Sequence, residues 1–338
     1  MNTTYDDLRP AASNMLRANM GVNEGERILF LTDVPVPQDW SLPYQQLEAM
    51  LQRALMTKRI SEMMSEEFPH CTLDFLSFPA TGQSGKEPPE PVAERLLSYD
   101  VVIMMTTFSL SHTNARQQAT DKGVRIASMP GIESRMFAPN GPMMADYEAV
   151  SRDSQEWAEK LTQGNEVHVT TPFGTDLRFS IKGRTGFADD GLYQKKGSWG
   201  NLPAGEAYTT PVEGTAQGKL VVPKGWYPDL ASDMTLTFEK GYVTSITGGG
   251  EVGKRFEKLL DFGNTALNHR RNCAELGIGT NPYASRTDNI LEAEKIKGTI
   301  HIAIGDNVHM GGLTESDLHA DFVLTAPVLH IDGQRLIG

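Results

Sequence analysis

The apolar residues of this 338-residue chain follow one pattern before about residue 165 and a different pattern after it. The first half contains continuous apolar runs, such as "RILFLTD" (27–33) and "YDVVIMMTT" (99–107), separated by segments with helical periodicity. Continuous runs are typical of strands that are covered on both faces, so they predict a parallel sheet flanked by helices. Further strands are expected at 71–78 and 124–130, and helices at about 44–66, 92–98 and 146–163.

The second half alternates apolar and polar residues instead. In 166–184 the alternation runs on either side of "FGTD", which is typical of a β-hairpin. Other strands are expected at 218–223, 234–247, 274–279, 298–305, 320–327 and 328–337, with one helix at about 253–268. We therefore predict an α/β N-terminal domain with a mostly parallel sheet (1–165) and a C-terminal α+β domain with a mixed, mostly antiparallel sheet (166–338).

The composition narrows the class of protein. A formal net charge of -12 disfavours nucleic acid as a partner, because phosphate binding needs clustered basic residues. The start of the chain has no signal-like pattern and no run approaches the length of a membrane span, so we expect no membrane association. Cys71 and Cys273 are too few for a disulfide framework, which favours a reducing cytoplasm. The sequence has no glycine-rich phosphate-binding motif.

One strand of the second half, "AELGIG" (274–279), carries a single carboxylate among small and apolar residues. Alternation places Glu275, Gly277 and Gly279 on one face and the apolar residues on the other. Taken alone, Glu275 fits an ion-paired carboxylate as well as a functional one. The glycines beside it predict open space over the sheet, where an ion and a substrate can approach.

Two further strands present ligand-type side chains in the same way. His301 lies on the face of "HIAIG" opposite its isoleucines, and His319 and Asp321 share one face of "LHADFVL". A hydrogen-bonded core histidine and a solvated strand face are the ordinary explanations of these features when each is considered alone. Together with Glu275 they would form a buried cluster that is costly without a cation, so the pattern predicts a metal site.

Two more acids belong to the candidate site. Glu206 lies between Gly205 and Ala207 in a segment bounded by proline and glycine. Glu294 precedes the His301 strand, in a stretch where a charged turn is the alternative explanation.

Several motifs in this order resemble the thermophilic metalloaminopeptidase family, also called the aminopeptidase T family. The motifs are "GNLPAGEAYTTPVEGTAQGKLVV", "GGGEVGKRFEKLL", "AELGIGTNP", "LEAEKIKGTIHIAIGDN" and "LHADFVL". They cover residues 165–338 well and the N-terminal half only by general architecture. The resemblance implies a homodimer that releases N-terminal amino acids from peptides with two divalent ions per chain, zinc, cobalt or manganese.

The resemblance also implies a role for each candidate residue. Glu206 matches the first carboxylate ligand and Glu275 the bridging one, while Glu294 matches an acid beside the metals, a candidate general base. The remaining ligands implied are His301, His319 and Asp321. The chain departs from the family at Val308, where the family's aminopeptidases carry a tyrosine.

A second, more distant resemblance is to the 2,5-dihydroxypyridine dioxygenases, which hold one Fe(II) with two histidines and an aspartate. In those enzymes the position of Glu275 is histidine and that of Glu206 is not acidic. We expect first an aminopeptidase-like hydrolase of a small peptide or amide substrate, and second a ring-cleaving Fe(II) dioxygenase. A metal-stabilised binding protein is the third interpretation.

Overall fold

The structure is a computed structural model that describes residues 5–338. It contains two compact units. The first runs to Glu148 and includes Gly191–Ala204, and the second comprises Ala149–Asp190 and Gly205–Gly338. This division differs from the single boundary predicted at 165 in two ways. The first boundary follows Glu148, and the chain then returns once to the first unit at Gly191–Ala204.

The helices and strands are numbered in chain order. The α-helices are α1 (Arg9–Asn14), α2 (Tyr44–Glu67), α3 (Glu90–Leu96), α4 (Asn114–Asp121), α5 (Tyr147–Gln163), α6 (Gly250–Leu260) and α7 (Ile290–Ala293). The strands are β1 (Arg27–Val34), β2 (Thr72–Pro79), β3 (Val101–Met104), β4 (Arg125–Ser128), β5 (Glu166–Thr170), β6 (Asp176–Ser180), β7 (Phe187–Asp189), β8 (Trp199–Asn201), β9 (Glu206–Thr209), β10 (Gln217–Val222), β11 (Met234–Glu239), β12 (Tyr242–Gly248), β13 (Cys273–Gly279), β14 (Ile300–Gly305), β15 (His319–Leu324), β16 (Val328–Ile331) and β17 (Gln334–Ile337).

The first unit is built on a five-stranded parallel sheet with the order β2-β1-β3-β4-β8. Every residue of β3 and β4 is buried, as the continuous apolar runs predict. The parallel α/β architecture is thus confirmed. Strand β8 was not predicted, because its three half-buried residues, "WGN", form neither an apolar run nor an alternation.

The second unit contains two antiparallel sheets. A seven-stranded sheet has the order β12-β11-β10-β6-β5-β16-β17, and a five-stranded sheet has the order β15-β14-β13-β9-β7. Leu220 and Leu236 of the larger sheet join Leu276 and Ile302 of the smaller one in a single buried cluster. The predicted apolar faces therefore form the core, and the opposite face of the smaller sheet remains for polar side chains.

Two glycines of β13 are required by close approaches over the smaller sheet. A Cβ atom at Gly277 would lie 2.0 Å from Nε2 of His301, and one at Gly279 would lie 2.1 Å from the backbone oxygen of Ile296. The glycines therefore admit the His301 ring and the backbone that follows Lys295. The space that the sequence suggested for an ion and a substrate is, at these two positions, filled by the protein's own atoms.

Candidate metal centre

The register of the five-stranded sheet places carboxylates on one face. Glu275 pairs with Ala303, which in turn pairs with Asp321, while Gly279 pairs with Glu206. Directly opposed residues of an antiparallel pair point to the same side of the sheet. The three acids, which the sequence singled out with only Glu275 and Asp321 on predicted strands, therefore project from a single face of the sheet.

His319 connects two of these acids. Its Nε2 lies 3.1 Å from Oε2 of Glu275 and 3.4 Å from Oδ1 of Asp321. Its Nδ1 lies 2.9 Å from the backbone oxygen of Asp306, to which it can only donate. This backbone contact orients the ring and leaves Nε2 to serve as a metal ligand.

His301 forms a second group with Glu275 and Glu206. Its Nε2 lies 3.4 Å from Oε1 of Glu275 and 3.3 Å from Oε2 of Glu206. In each group of three, the candidate ligand atoms lie within 4.8 Å of one another. Glu275 belongs to both groups and directs a different oxygen toward each histidine, which is the arrangement of a bridging carboxylate.

The residues fit a cation. Glu206, Glu275 and His301 are buried, whereas about a third of the His319 side chain is exposed, at 34%. Oε2 of Glu206 is buried and accepts no hydrogen bond within residues 5–338, although Nε2 of His301 lies 3.3 Å away. A buried carboxylate oxygen that accepts no hydrogen bond is costly, and a metal ion would satisfy it. Carboxylate oxygens and imidazole nitrogens are also the donors that divalent ions prefer.

A buried lysine that the sequence did not suggest lies beside the cluster. Lys295 Nζ donates a hydrogen bond to Oε1 of Glu206, and lies 3.0 Å from Oε1 of Glu294 and 3.3 Å from Oδ2 of Asp189. Only 1% of the Lys295 side chain is exposed. Its position next to Glu294 in the sequence resembles an ordinary charged turn, and strand β7, which carries Asp189, was not predicted. Neither residue therefore gave a usable signal.

The mutual contacts shift the pKa values of the cluster. Burial raises the pKa of Glu206 to about 8, although the charges of Lys295 and His301 oppose the shift. Burial acts in the same direction on Glu275, but the hydrogen bonds from His301 and His319 outweigh it and hold its pKa below the usual range. For His301 burial disfavours the charge, yet the Glu275 hydrogen bond and the charge of Glu206 raise its pKa to about 9.

An aromatic pair flanks the centre on the same face of the sheet. Tyr208 pairs with Gly277 in the register, and its ring stacks on Phe187 with centroids 5.6 Å apart. Burial raises the pKa of Tyr208, and the charges of Asp189 and Glu275 raise it further. Phe187 is partly exposed, so the pair offers an apolar wall beside the ligands.

The structure therefore brings together all five predicted ligands, and Glu294 joins them through Lys295. Val308, unlike these residues, is not part of the cluster of candidate ligands. It begins a short 3-10 turn, Val308–Met310, and is exposed. The roles of these residues in metal binding and catalysis stay predictions.

A substitution of Glu275 tests the arrangement. We expect Glu275→Ala to lose nearly all bound metal, because both groups of three ligands contain this carboxylate. Elemental mass spectrometry of the purified variant measures the loss. Glu239→Ala, which removes an exposed carboxylate at the end of β11, is the matched control. Full metal content in Glu275→Ala would show that the bridging role is wrong.

Metal affinity should depend on pH through His319. Burial disfavours its charge, but Asp321 and Glu275 outweigh burial and raise its pKa well above the ordinary value. A bound ion must displace this proton, so affinity should fall as pH falls. Because the pKa of His319 is raised, metal affinity should keep rising above about pH 7. A histidine of ordinary pKa is already deprotonated there and would add no further pH dependence. Calorimetric titrations with Mn²⁺ at a series of pH values measure the trend, and a flat profile above neutrality would contradict it.

No helix within residues 5–338 is long and apolar enough to cross a membrane.

Comparisons with known proteins connect the chain to two kinds of enzyme. A 2,5-dihydroxypyridine 5,6-dioxygenase of Pseudomonas putida is 24% identical over 253 residues, which cover 70% of this chain and 69% of the relative. Aminopeptidase PepS of Streptococcus thermophilus is 25% identical over 193 residues, which cover 51% of this chain but only 45% of the relative.

Solved structures share the fold. The 2,5-dihydroxypyridine dioxygenase of Pseudomonas putida KT2440 superposes with a TM-score of 0.75 at 19% identity, over 99% of this chain and 96% of that one. Wild-type AmpT from Thermus thermophilus superposes with a TM-score of 0.60 at 14% identity, over 98% and 97%. Both resemblances noted in the sequence are thus confirmed. The family model described as 2,5-dihydroxypyridine 5,6-dioxygenase matches residues 21–338, and the chain accordingly belongs to that enzyme family.

Proposed function

We propose that this protein is a metal-dependent, aminopeptidase-like hydrolase of amide bonds. The observation that carries the proposal is the donor set, in which three carboxylates and two imidazoles converge and Glu275 faces both histidines. A site with several carboxylate oxygens suits the divalent ions of hydrolytic enzymes better than a site with a single carboxylate does. A divalent ion bound there would lower the pKa of a water molecule and polarise the amide carbonyl.

The candidate residues have two proposed roles, metal binding and proton transfer. Glu206, Glu275, His301, His319 and Asp321 are the proposed ligands. Glu294 is the proposed general base, since its carboxylate is buried beside them and lies 3.0 Å from Lys295 Nζ. Burial raises the pKa of Glu294, partly offset by the charge of Lys295, and a raised pKa makes a carboxylate better at holding a proton near neutrality.

The surroundings of the ligands suggest where a substrate lies. His319 has the most exposed side chain of the five proposed ligands, so the open side of the centre lies at the start of β15. The stacked rings of Phe187 and Tyr208 supply apolar surface on the same sheet face. An apolar or aromatic group next to the reacting amide fits this wall.

A ring-cleaving Fe(II) dioxygenase is the second candidate. It is supported by the family match over residues 21–338 and by the Pseudomonas putida dioxygenase structure at a TM-score of 0.75. Such enzymes typically use two histidines and one carboxylate. Here each of the two compact groups of three ligands, among residues 5–338, contains one histidine and two carboxylates. This donor balance is the reason for placing hydrolysis first.

A paired assay separates the two candidates. The protein is loaded anaerobically with Mn²⁺, Zn²⁺ or Fe²⁺ in parallel, and each form is offered aminoacyl amides, acyl amides and 2,5-dihydroxypyridine. We expect amide hydrolysis with Mn²⁺ or Zn²⁺ and no oxygen uptake. Oxygen consumption that requires Fe²⁺ and 2,5-dihydroxypyridine, with no hydrolysis by any form, would overturn the proposal in favour of the dioxygenase.

Glu294→Gln tests the proposed base. The substitution keeps the size of the side chain but removes its ability to accept a proton, so we expect kcat to fall by roughly 10²–10⁴-fold with little change in metal content. Steady-state kinetics and elemental analysis of the same preparation measure both quantities. A variant that keeps its kcat would exclude Glu294 as the base, and a variant that loses its metal would make it a ligand or a supporting residue instead.

A further inference from the structure

Lys295 is held in the interior by three acids from three different parts of the second unit. Its Nζ contacts Glu206 on β9, Asp189 on β7 and the adjacent Glu294. A lysine that is 1% exposed is rare unless its charge is paired, and here each of the three partners is a carboxylate. The ammonium group is therefore an integral part of the centre rather than a surface charge nearby.

We propose that the ammonium group of Lys295 takes the place of a second metal ion, so that each chain binds one divalent ion, between Glu275, His319 and Asp321. This inference rests on the proposed function in one respect, namely that a metal binds at this centre at all. It departs from the two ions per chain that the aminopeptidase T resemblance implies. Glu206 and His301, which are ligands if two ions bind, would then support the single site without holding an ion of their own.

The contacts of Glu206 support this assignment. A second ion would have to bind among Glu206, Glu275 and His301, the other compact group of ligands. Oε1 of Glu206 is already engaged by Lys295, which leaves only Oε2 for an ion. An ion on that oxygen would lie close to the ammonium group in a buried environment, where repulsion between two cations is weakly screened.

The lysine is also fixed in place by its backbone. The amide of Asn281 donates to the Lys295 backbone oxygen at 2.9 Å, and the Lys295 amide donates to Glu292 at 3.1 Å. The backbone after Lys295 lies directly against Gly279, where a Cβ atom would meet it. The main chain is therefore held on both sides, and the three carboxylates that contact Nζ hold the buried side chain at the centre.

The other group of ligands is accessible to a hydrated ion. The His319 and Asp321 side chains are 34% and 15% exposed, whereas those of Glu206 and His301 are 9% and 1% exposed. An ion arriving from solvent therefore meets the His319 side first. The two groups differ both in access and in the charge beside them, and both differences favour a single ion at His319.

The number of bound ions in Lys295→Ala tests the inference. Wild-type protein, Lys295→Ala and Lys297→Ala are titrated with Mn²⁺ alone, and bound metal is counted by elemental mass spectrometry and by electron paramagnetic resonance. Lys297 is the matched control, because it lies two residues further along, its side chain is 55% exposed, and it forms an ion pair with Asp153 rather than with the centre. Circular dichroism and urea unfolding establish that each variant is folded, and Lys295→Met serves if the alanine variant is not.

We expect about one Mn²⁺ per chain in the wild type and in Lys297→Ala, with the spectrum of an isolated ion. Removal of the ammonium should raise the number to about two and produce the spectrum of an exchange-coupled pair, since Glu275 would bridge the ions. Two ions in the wild type, or a single ion in a folded Lys295 variant, would overturn the inference. No binding in any of the three proteins would instead refute the metal centre of the proposed function, and the inference with it.

Discussion

The centre depends on how one buried carboxylate is shared. Each oxygen of Glu275 faces a different histidine, His301 on the neighbouring strand and His319 on the strand beyond it. Removing one partner from a buried charge pair typically costs about 3–5 kcal/mol, because the other charge remains desolvated. Strands β13, β14 and β15 are therefore tied together by charge on one face as well as by packing on the other.

The small residues of the sheet make this sharing possible. Ala303 separates Glu275 from Asp321 in the register, and Gly277 lies beneath the ring of His301. A larger side chain at either position would compete with the ligands for the same volume. Gly279 likewise leaves room for the backbone that follows Lys295. The apolar side chains of these strands point into the core. One face of the sheet therefore contributes to stability, and the other face carries the candidate ligands.

This alternation explains what could be predicted from the sequence. Strands with a clear period, such as those of Glu275 and His301, reveal both their core face and their ligand face. Short strands without a period do not, and for this reason β7, β8 and β9 were missed. Lys295 was missed for another reason: two of its three acidic partners, Asp189 and Glu206, are distant in sequence and become its neighbours only through the register of β7, β9 and β13.

One fold can therefore host different chemistry by changing a few side chains over the same sheet. Family membership and fold connect this chain with a dioxygenase, while its carboxylates are the basis of the hydrolytic function proposed above. The resemblance to the dioxygenases implies that the difference lies at Glu275 and Glu206, where this chain has acids. Additional acids raise the negative charge of a buried site, which must be balanced by more cations. A lysine supplies a covalently attached positive charge that cannot dissociate from the site. A second metal ion would be exchangeable and would compete with protons for its ligands.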